Sequence, residues 1–341
     1  MALIKLNNRS SEDNAIRGRR NLIINGAMQV AQRGTSSTAV TAGGYYTVDR
    51  YRLSYNDGLD ELQFTQEQST DAPTGFSNSL KLTVTTAETT LAAAERVRLQ
   101  QRIEGQNLQH LKYGTSDAEY LTLSFYVKSN VTGTYGIHLD NDDSARGVCA
   151  TYTINVANTW EKKTVSIAGD TTGSFNNDND RALDISWVLV AGTDYTSGTL
   201  ATSWESNTNA NNAPSGQVNL VDTVSNSWQI TGVQLEVGDT ATPFEHHNYG
   251  DELAKCQRYY QRIWFRANNI FTDYTGTQYA TQSLVNSVRT NGTVTNNIST
   301  GANITVDSMV IINQNTLEIV CTSAGAHNNW VTGNIFVDAE V

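Results

Sequence analysis

The chain has 341 residues, enough for two domains, since single cores usually stop growing near ~250 residues. A formal charge of −11 and a pI near 4.9 argue against gripping a nucleic-acid backbone, which needs excess Lys and Arg. Only 17% of residues are charged, against roughly 25% in ordinary soluble domains, so Asn, Thr, Ser and Gln carry the polar surface.

The first twenty residues reverse the overall sign. Lys5, Arg9, Arg17, Arg19 and Arg20 face only Glu12 and Asp13 there. Residues 1–20 therefore read as a basic arm that docks on the acidic surface of a partner. The arm holds no apolar signal core, and no later apolar run approaches the ~20 residues needed to cross a bilayer. The expectation is a protein made in the cytoplasm, without secretory export or membrane insertion. The three cysteines, Cys149, Cys256 and Cys321, lie far apart, which argues against a metal site or disulfide framework.

After the arm comes a train of short β-patterned segments separated by Gly, Asn, Asp and Ser. Strands are expected at 51–55, 79–84 and 97–103, followed by a helical turn over 108–111. Residues 121–128 alternate most cleanly, with Leu121, Leu123, Phe125 and Val127 on one face. Residues 152–156 and 163–167 bracket Asn158-Thr159-Trp160 as a hairpin or lidded loop. The uniformly apolar run 185–190 reads as a central strand. Residues 203–219 form a polar loop in which Trp204 either covers the core or offers a sugar-stacking face. Residues 228–237 alternate again, with a bulge at Thr231-Gly232.

A helix over 249–262 follows, acidic at Asp251 and Glu252 and basic at Lys255, Arg258 and Arg262, as the helix dipole prefers. Leu253, Cys256 and Tyr260 fall on its apolar face, and the helix reads as a hinge. Beyond it, strands at 304–306, 309–312, 317–321 and 334–341 are expected, with a hairpin turn at Asn313-Gln314-Asn315. The fold class is thus all-β: a sandwich over 21–248, a linker helix over 249–262 and a smaller β domain over 263–341.

Several blocks in order resemble the jelly-roll module of bacteriophage and prophage tail-fibre proteins. They are Asn21-Leu22-Ile23-Ile24-Asn25-Gly26-Ala27-Met28, Gln101-Arg102-Ile103-Glu104-Gly105, Leu123-Ser124-Phe125-Tyr126-Val127-Lys128-Ser129, Asn158 to Lys163, Trp204, and Trp228 to Tyr260. The resemblance covers roughly residues 21 to 262. It implies a jelly roll related to carbohydrate-binding modules, in a structural protein of the virion tail. It implies further a homotrimer, an arm attached to the tail hub, adaptor or nozzle, and adsorption to host-surface polysaccharide. A short, tail-proximal fibre is the form expected, because the sandwich follows the arm directly.

The chemistry-bearing residues point to binding rather than catalysis. No GxSxG, HExxH or P-loop is present, and adjacent His246 and His247 would face opposite ways on an extended segment. Asp140, Asp142 and Asp143, and separately Asp178 and Asp180, could hold one structural Ca²⁺ of the kind carbohydrate jelly rolls often carry, or simply build Asp-rich turns. Sugar recognition uses aromatic faces beside amides. Tyr274 and Tyr279, then His327, Asn328 and Trp330, supply that mixture in the C-terminal domain, unless Tyr279 and Trp330 serve its core or a trimer interface. Two alternatives stand beside adsorption: a virion decoration or scaffold protein, and a glycan depolymerase.

Overall fold

A computed structural model describes residues 20–55, 59, 61–268, 276–290, 292–301, 303–323 and 330–340. The first part of the chain forms β1 (Ser36–Val40), β2 (Gly44–Tyr45), β3 (Arg52–Tyr55), β4 (Gln63–Ser69), β5 (Ser79–Thr86) and β6 (Arg96–Glu104). Then come β7 (Leu121–Ser129), β8 (Gly133–Asn141), β9 (Arg146–Ile154), β10 (Glu161–Ile167), β11 (Arg181–Ala191), a one-turn helix α1 (Thr193–Thr196), β12 (Glu205–Ser206) and β13 (Ser227–Val237). They build two antiparallel sheets, ordered β1-β4-β5-β13-β7-β10 and β12-β9-β8-β11-β6-β3-β2. The chain crosses from one sheet to the other between β1 and β2, β3 and β4, β5 and β6, β6 and β7, β7 and β8, β9 and β10, β10 and β11, and β12 and β13. This is a jelly-roll sandwich.

Alternation decides which side chains meet between the sheets. Leu121, Leu123, Phe125 and Val127 of β7 face Leu183, Ile185, Trp187 and Leu189 of β11 in one buried cluster. Trp187 sets its ring edge-on to Phe125 at 5.8 Å. Trp228 satisfies its buried indole N–H on the Tyr152 hydroxyl at 3.1 Å. The register of β13 against β7 slips between Thr231 and Gln234, at the expected bulge. Gly232 sits there at φ +60°, and a Cβ would come within 2.6 Å of the Phe76 ring. The run 185–190 does lie centrally, with β11 between β6 and β8. The hairpin suggested around Asn158-Thr159-Trp160 does not form, because β9 and β10 belong to different sheets.

The helix is shorter than its charge pattern suggested. Here α2 spans Tyr249–Gln257, with the Asn248 side chain accepting from the Asp251 N–H at 2.9 Å. Residues expected to continue it instead open β14 (Tyr260–Asn268), which pairs residue for residue with β19 (Trp330–Asp338). The Ile263 and Phe265 pair, buried at period two, outweighs the helical spacing. Between them come β15 (Gly276–Ser283), β16 (Thr293–Thr300), β17 (Ile304–Asn313) and β18 (Thr316–Ser323). Two three-stranded sheets, β14-β19-β16 and β15-β18-β17, enclose one small core. β17 and β18 form the expected hairpin across Gln314-Asn315.

The expected hinge is instead a tied joint. Glu104 at the end of β6 receives both the Nε and Nη2 of Arg258, at 2.9 and 2.8 Å. Asn25 donates its backbone N–H to Glu252 of α2 at 2.6 Å. Arg50, fully buried, pairs with Glu340, stacks 3.4 Å from the Tyr259 ring centroid and donates to the Arg102 carbonyl at 2.7 Å. Arg33 reaches Asp338 at 3.0 Å and Glu340 at 3.4 Å. Removing one partner of a buried ion pair strands the other charge. Glu340→Gln is therefore expected to lower stability by about 3 kcal/mol in denaturant unfolding; a change under about 0.5 kcal/mol would show that the joint carries little.

Asp49 lies beneath this joint, with its carboxyl pushed up to about 6 by burial while Gln32 and Arg33 pull it back. An unfolded Asp titrates near ~3.9, so the folded chain holds the proton more tightly. That contribution is full below ~3.9 and is lost as pH rises through about 6. Unfolding measured at pH 4 and pH 7 should show wild type losing on the order of 2 kcal/mol relative to Asp49→Asn. Parallel pH profiles for the two proteins would contradict this.

Candidate functional site

The two sheets of the C-terminal unit each bury one face and present the other. On β14, Ile263 and Phe265 turn inward, while Arg262, Trp264 and Arg266 turn out. On β19, Val331, Ile335 and Val337 turn inward, while Thr332, Asn334, Phe336 and Asp338 point the other way. β16 completes the outer surface with Thr293, Thr295, Asn297 and Ser299. Register places these side chains in rows across the sheet. Arg262 lies opposite Phe336, which lies opposite Thr295; Trp264 lies opposite Asn334, which lies opposite Asn297.

This surface combines apolar rings with fixed amides. Trp264 is 64% exposed, so its ring is offered to solvent at a cost that packing does not explain. Asn334 is held in place, accepting from Arg262 Nε at 2.9 Å, while Asn297 accepts from the Asn334 backbone N–H at 3.1 Å. Toward the sandwich the surface falls into an open groove of about 630 Å³ lined by Arg33, Tyr260, Thr293, Thr295, Phe336, Asp338 and Glu340. Arg33 lies 3.7 Å from the Tyr260 ring centroid and forms the groove's wall from the sandwich side. Its volume falls within the usual range for small-ligand sites.

The residues singled out from sequence do not converge. Trp330 stands at the start of β19 on the surface just described, 38% exposed. Tyr279 is 65% exposed but belongs to β15, so the small core lies between the two rings. Around Tyr279 the outer surface of β15-β18-β17 carries Val310 and Ile312, also exposed, and is the more apolar of the two. Tyr274, His327 and Asn328 lie outside the described residues, as do Lys5, Arg9, Arg17 and Arg19. Arg20 turns onto its own chain, donating to the Thr242 hydroxyl at 2.9 Å and the Pro243 carbonyl at 3.2 Å. Trp204 packs against the sandwich core, edge-on to Tyr113 at 5.7 Å, with its N–H on the Ala168 carbonyl at 2.8 Å.

Each aspartate of the calcium candidates has a protein donor. Asp140 accepts from Asn207 at 2.7 Å, Asp142 pairs with Arg181, and Asp143 accepts twice from Asn176 at 2.8 and 3.0 Å. Asp178 caps the Asp180 N–H and Asp180 meets Arg289 at 3.4 Å. Among the described residues no group of three or more His, Cys, Asp or Glu could hold a metal ion. All three cysteines are buried and free. Sequence reading missed Trp264, Arg262, Asn334 and Phe336 as site residues, Arg262 because the run from Asp251 to Arg262 reads as a helix.

No family model matches the chain, and no curated protein does. Similar solved structures include the family 11 carbohydrate-binding module of the cellulosomal cellulase Lic26A-Cel5E of Clostridium thermocellum, at 10% identity and TM-score 0.30, covering 62% of this chain and 98% of that one. The CBM22-1 xylan-binding domain of Paenibacillus barcinonensis Xyn10C is similar at 12% identity and TM-score 0.27, over 62% of this chain and 100% of that one. Likenesses this remote assign no ligand to this chain.

The two tryptophans should separate cleanly on mutation. Trp204→Ala removes core contacts and a satisfied N–H and is expected to cost about 2–3 kcal/mol in thermal or denaturant unfolding. Trp264→Ala should leave stability within ~0.5 kcal/mol of wild type. Equal losses would mean that Trp264 is a packing residue.

Proposed function

We propose that this chain is a tail-fibre protein of a bacteriophage virion that adsorbs to host-surface polysaccharide. The observation that carries the glycan reading is the outer surface of β14-β19-β16. There an exposed Trp264 sits beside positioned Asn334, Asn297 and Arg262, next to a groove of ligand size. A flat ring takes the apolar face of a pyranose, and amides and guanidinium groups take its hydroxyls. The tail-fibre assignment rests on the ordered sequence blocks from Asn21 to Tyr260. The basic arm, Lys5 to Arg19, would hold the protein on the tail hub, adaptor or nozzle, while Arg20 fastens its base to the sandwich.

A second copy of the chain is the occupant we assign to the more apolar surface of β15-β18-β17, where Tyr279, Val310 and Ile312 are exposed together. Three copies would present three glycan surfaces, and avidity can raise overall binding by roughly 10² to 10⁴ without a strong single site.

The test is adsorption of labelled full-length protein to candidate host cells, with envelope polysaccharide as competitor. Saturable, competed binding that Trp264→Ala weakens about tenfold, equivalent to ~1.4 kcal/mol, supports the proposal. An assembled oligomer that fails to bind any susceptible host would favour a scaffold or decoration role. Release of reducing ends from the polysaccharide would favour a depolymerase.

A further inference from the structure

The seven-stranded sheet of the sandwich also has an outer surface, and its composition is unusual. Alternation sends Arg96, Arg98, Gln100 and Arg102 of β6 outward, with Asp184 and Ser186 of β11, His138 and Asp140 of β8, and Arg52 of β3. Register aligns one row straight across the sheet: Arg52, Gln100, Ser186, His138. Arg52 donates to Gln100 Oε1 at 3.2 Å, and Gln100 donates to the Ser186 hydroxyl at 3.1 Å. At the end of that row His138 is 1% exposed, and neither ring nitrogen has a hydrogen-bond partner among the described residues. The segment 192–218 roofs the β8–β9 end: Tyr195 lies 3.9 Å from the Arg96 guanidinium, and Asn207 reaches Asp140. The β3–β6 side is left open, where Arg52 and Arg98 are partly exposed.

Charge on this surface is unbalanced. Arg102 and Arg181 each lie 3.5 Å from Asp184, and Arg181 also pairs with Asp142. Arg52, Arg96 and Arg98 form no ion pair among the described residues, and the Nε atoms of Arg96 and Arg98 have no hydrogen-bond partner. Burying an unmatched guanidinium costs several kcal/mol, and an unbonded buried imidazole adds to that. That cost is why burial together with Arg96 pushes Arg98 down to about 9, and burial beside Arg98 and Arg96 pushes His138 well below its ordinary range. A planar oxyanion between the arginines would relieve it through paired N–H···O bonds.

We propose that the open side of this sheet, Arg52 and Arg98 with Arg96 behind them, binds the carboxylate of an acidic saccharide, a hexuronate unit. The site is separate from the C-terminal surface and does not depend on it. Full-length protein would be titrated calorimetrically with a defined oligouronate, its carboxyl-reduced neutral counterpart, and a phosphorylated neutral oligosaccharide. The expected result is binding to the oligouronate alone, weakened at least tenfold by Arg98→Gln and several-fold by Arg52→Gln, with Trp264→Ala unchanged. Arg52 lies at the partly exposed rim, so its variant keeps the test valid if Arg98→Gln fails to fold. Equal binding of the reduced oligosaccharide, preference for the phosphorylated one, or full affinity in a folded Arg52→Gln or Arg98→Gln protein would each overturn the proposal. Oligouronate binding without cell adsorption would remove the adsorption reading and leave this one standing.

Discussion

The fold depends on a buried electrostatic joint around Arg50. A guanidinium with no access to water must be neutralised, and here the partner is Glu340, within two residues of the end of the chain. The stacking of Arg50 on Tyr259 and the twofold pairing of Glu104 with Arg258 bind the entry and exit of the C-terminal unit to the same edge of the sandwich. A unit of this size has a small core and gains from anchoring at both of its ends. The anchoring also fixes where its outer surfaces lie relative to the sandwich, and the groove beside Arg33 exists only because the two units meet there.

The same joint gives a physical account of sequence blocks far apart in the chain. Asn25 and Asn21 look like ordinary loop residues, yet Asn25 bonds the Val30 and Asp49 carbonyls and accepts from the Val30 N–H. Asn21 bonds the Val233 carbonyl and accepts from the Ile23 and Leu235 N–H groups. Gly26 follows because a Cβ there would lie 2.1 Å from the Val233 carbonyl oxygen. Gly105 is held likewise, 2.2 Å from Asn176 O. These blocks are the polar fastening of the fold, which its apolar core does not supply.

What could be read from sequence follows from this division. Strands whose apolar residues alternate with polar ones, such as β5, β7 and β13, announce themselves by period two, and the bulge at Gly232 by a break in it. Strands such as β15 and β16, built largely of Gly, Thr, Gln, Asn and Ser, carry too weak a contrast between their faces to stand out from loops. The outer surface of β14-β19-β16 was hidden for a related reason. The spacing of Arg258 and Arg262 suits a helix, and only the pairing of β14 with β19, nearly seventy residues away in sequence, decides for a strand. Pairing at that distance has no local signature.

Net charge gives a poor guide to what these surfaces bind. A protein of charge −11 ought to be repelled by an acidic envelope. Yet Arg52, Arg96 and Arg98 stand on the sandwich without an equal set of acids in ion pairs with them among the described residues. At physiological ionic strength the Debye length is ~8 Å, so a bound sugar senses the groups it touches far more than the distant carboxylates. Arg96 is also covered by Tyr195 of the protein's own loop, which withdraws it from solvent. A strongly acidic chain can therefore carry sites for acidic sugars, provided the cations are clustered and partly withdrawn from water. The outer surface of the seven-stranded sheet meets both conditions.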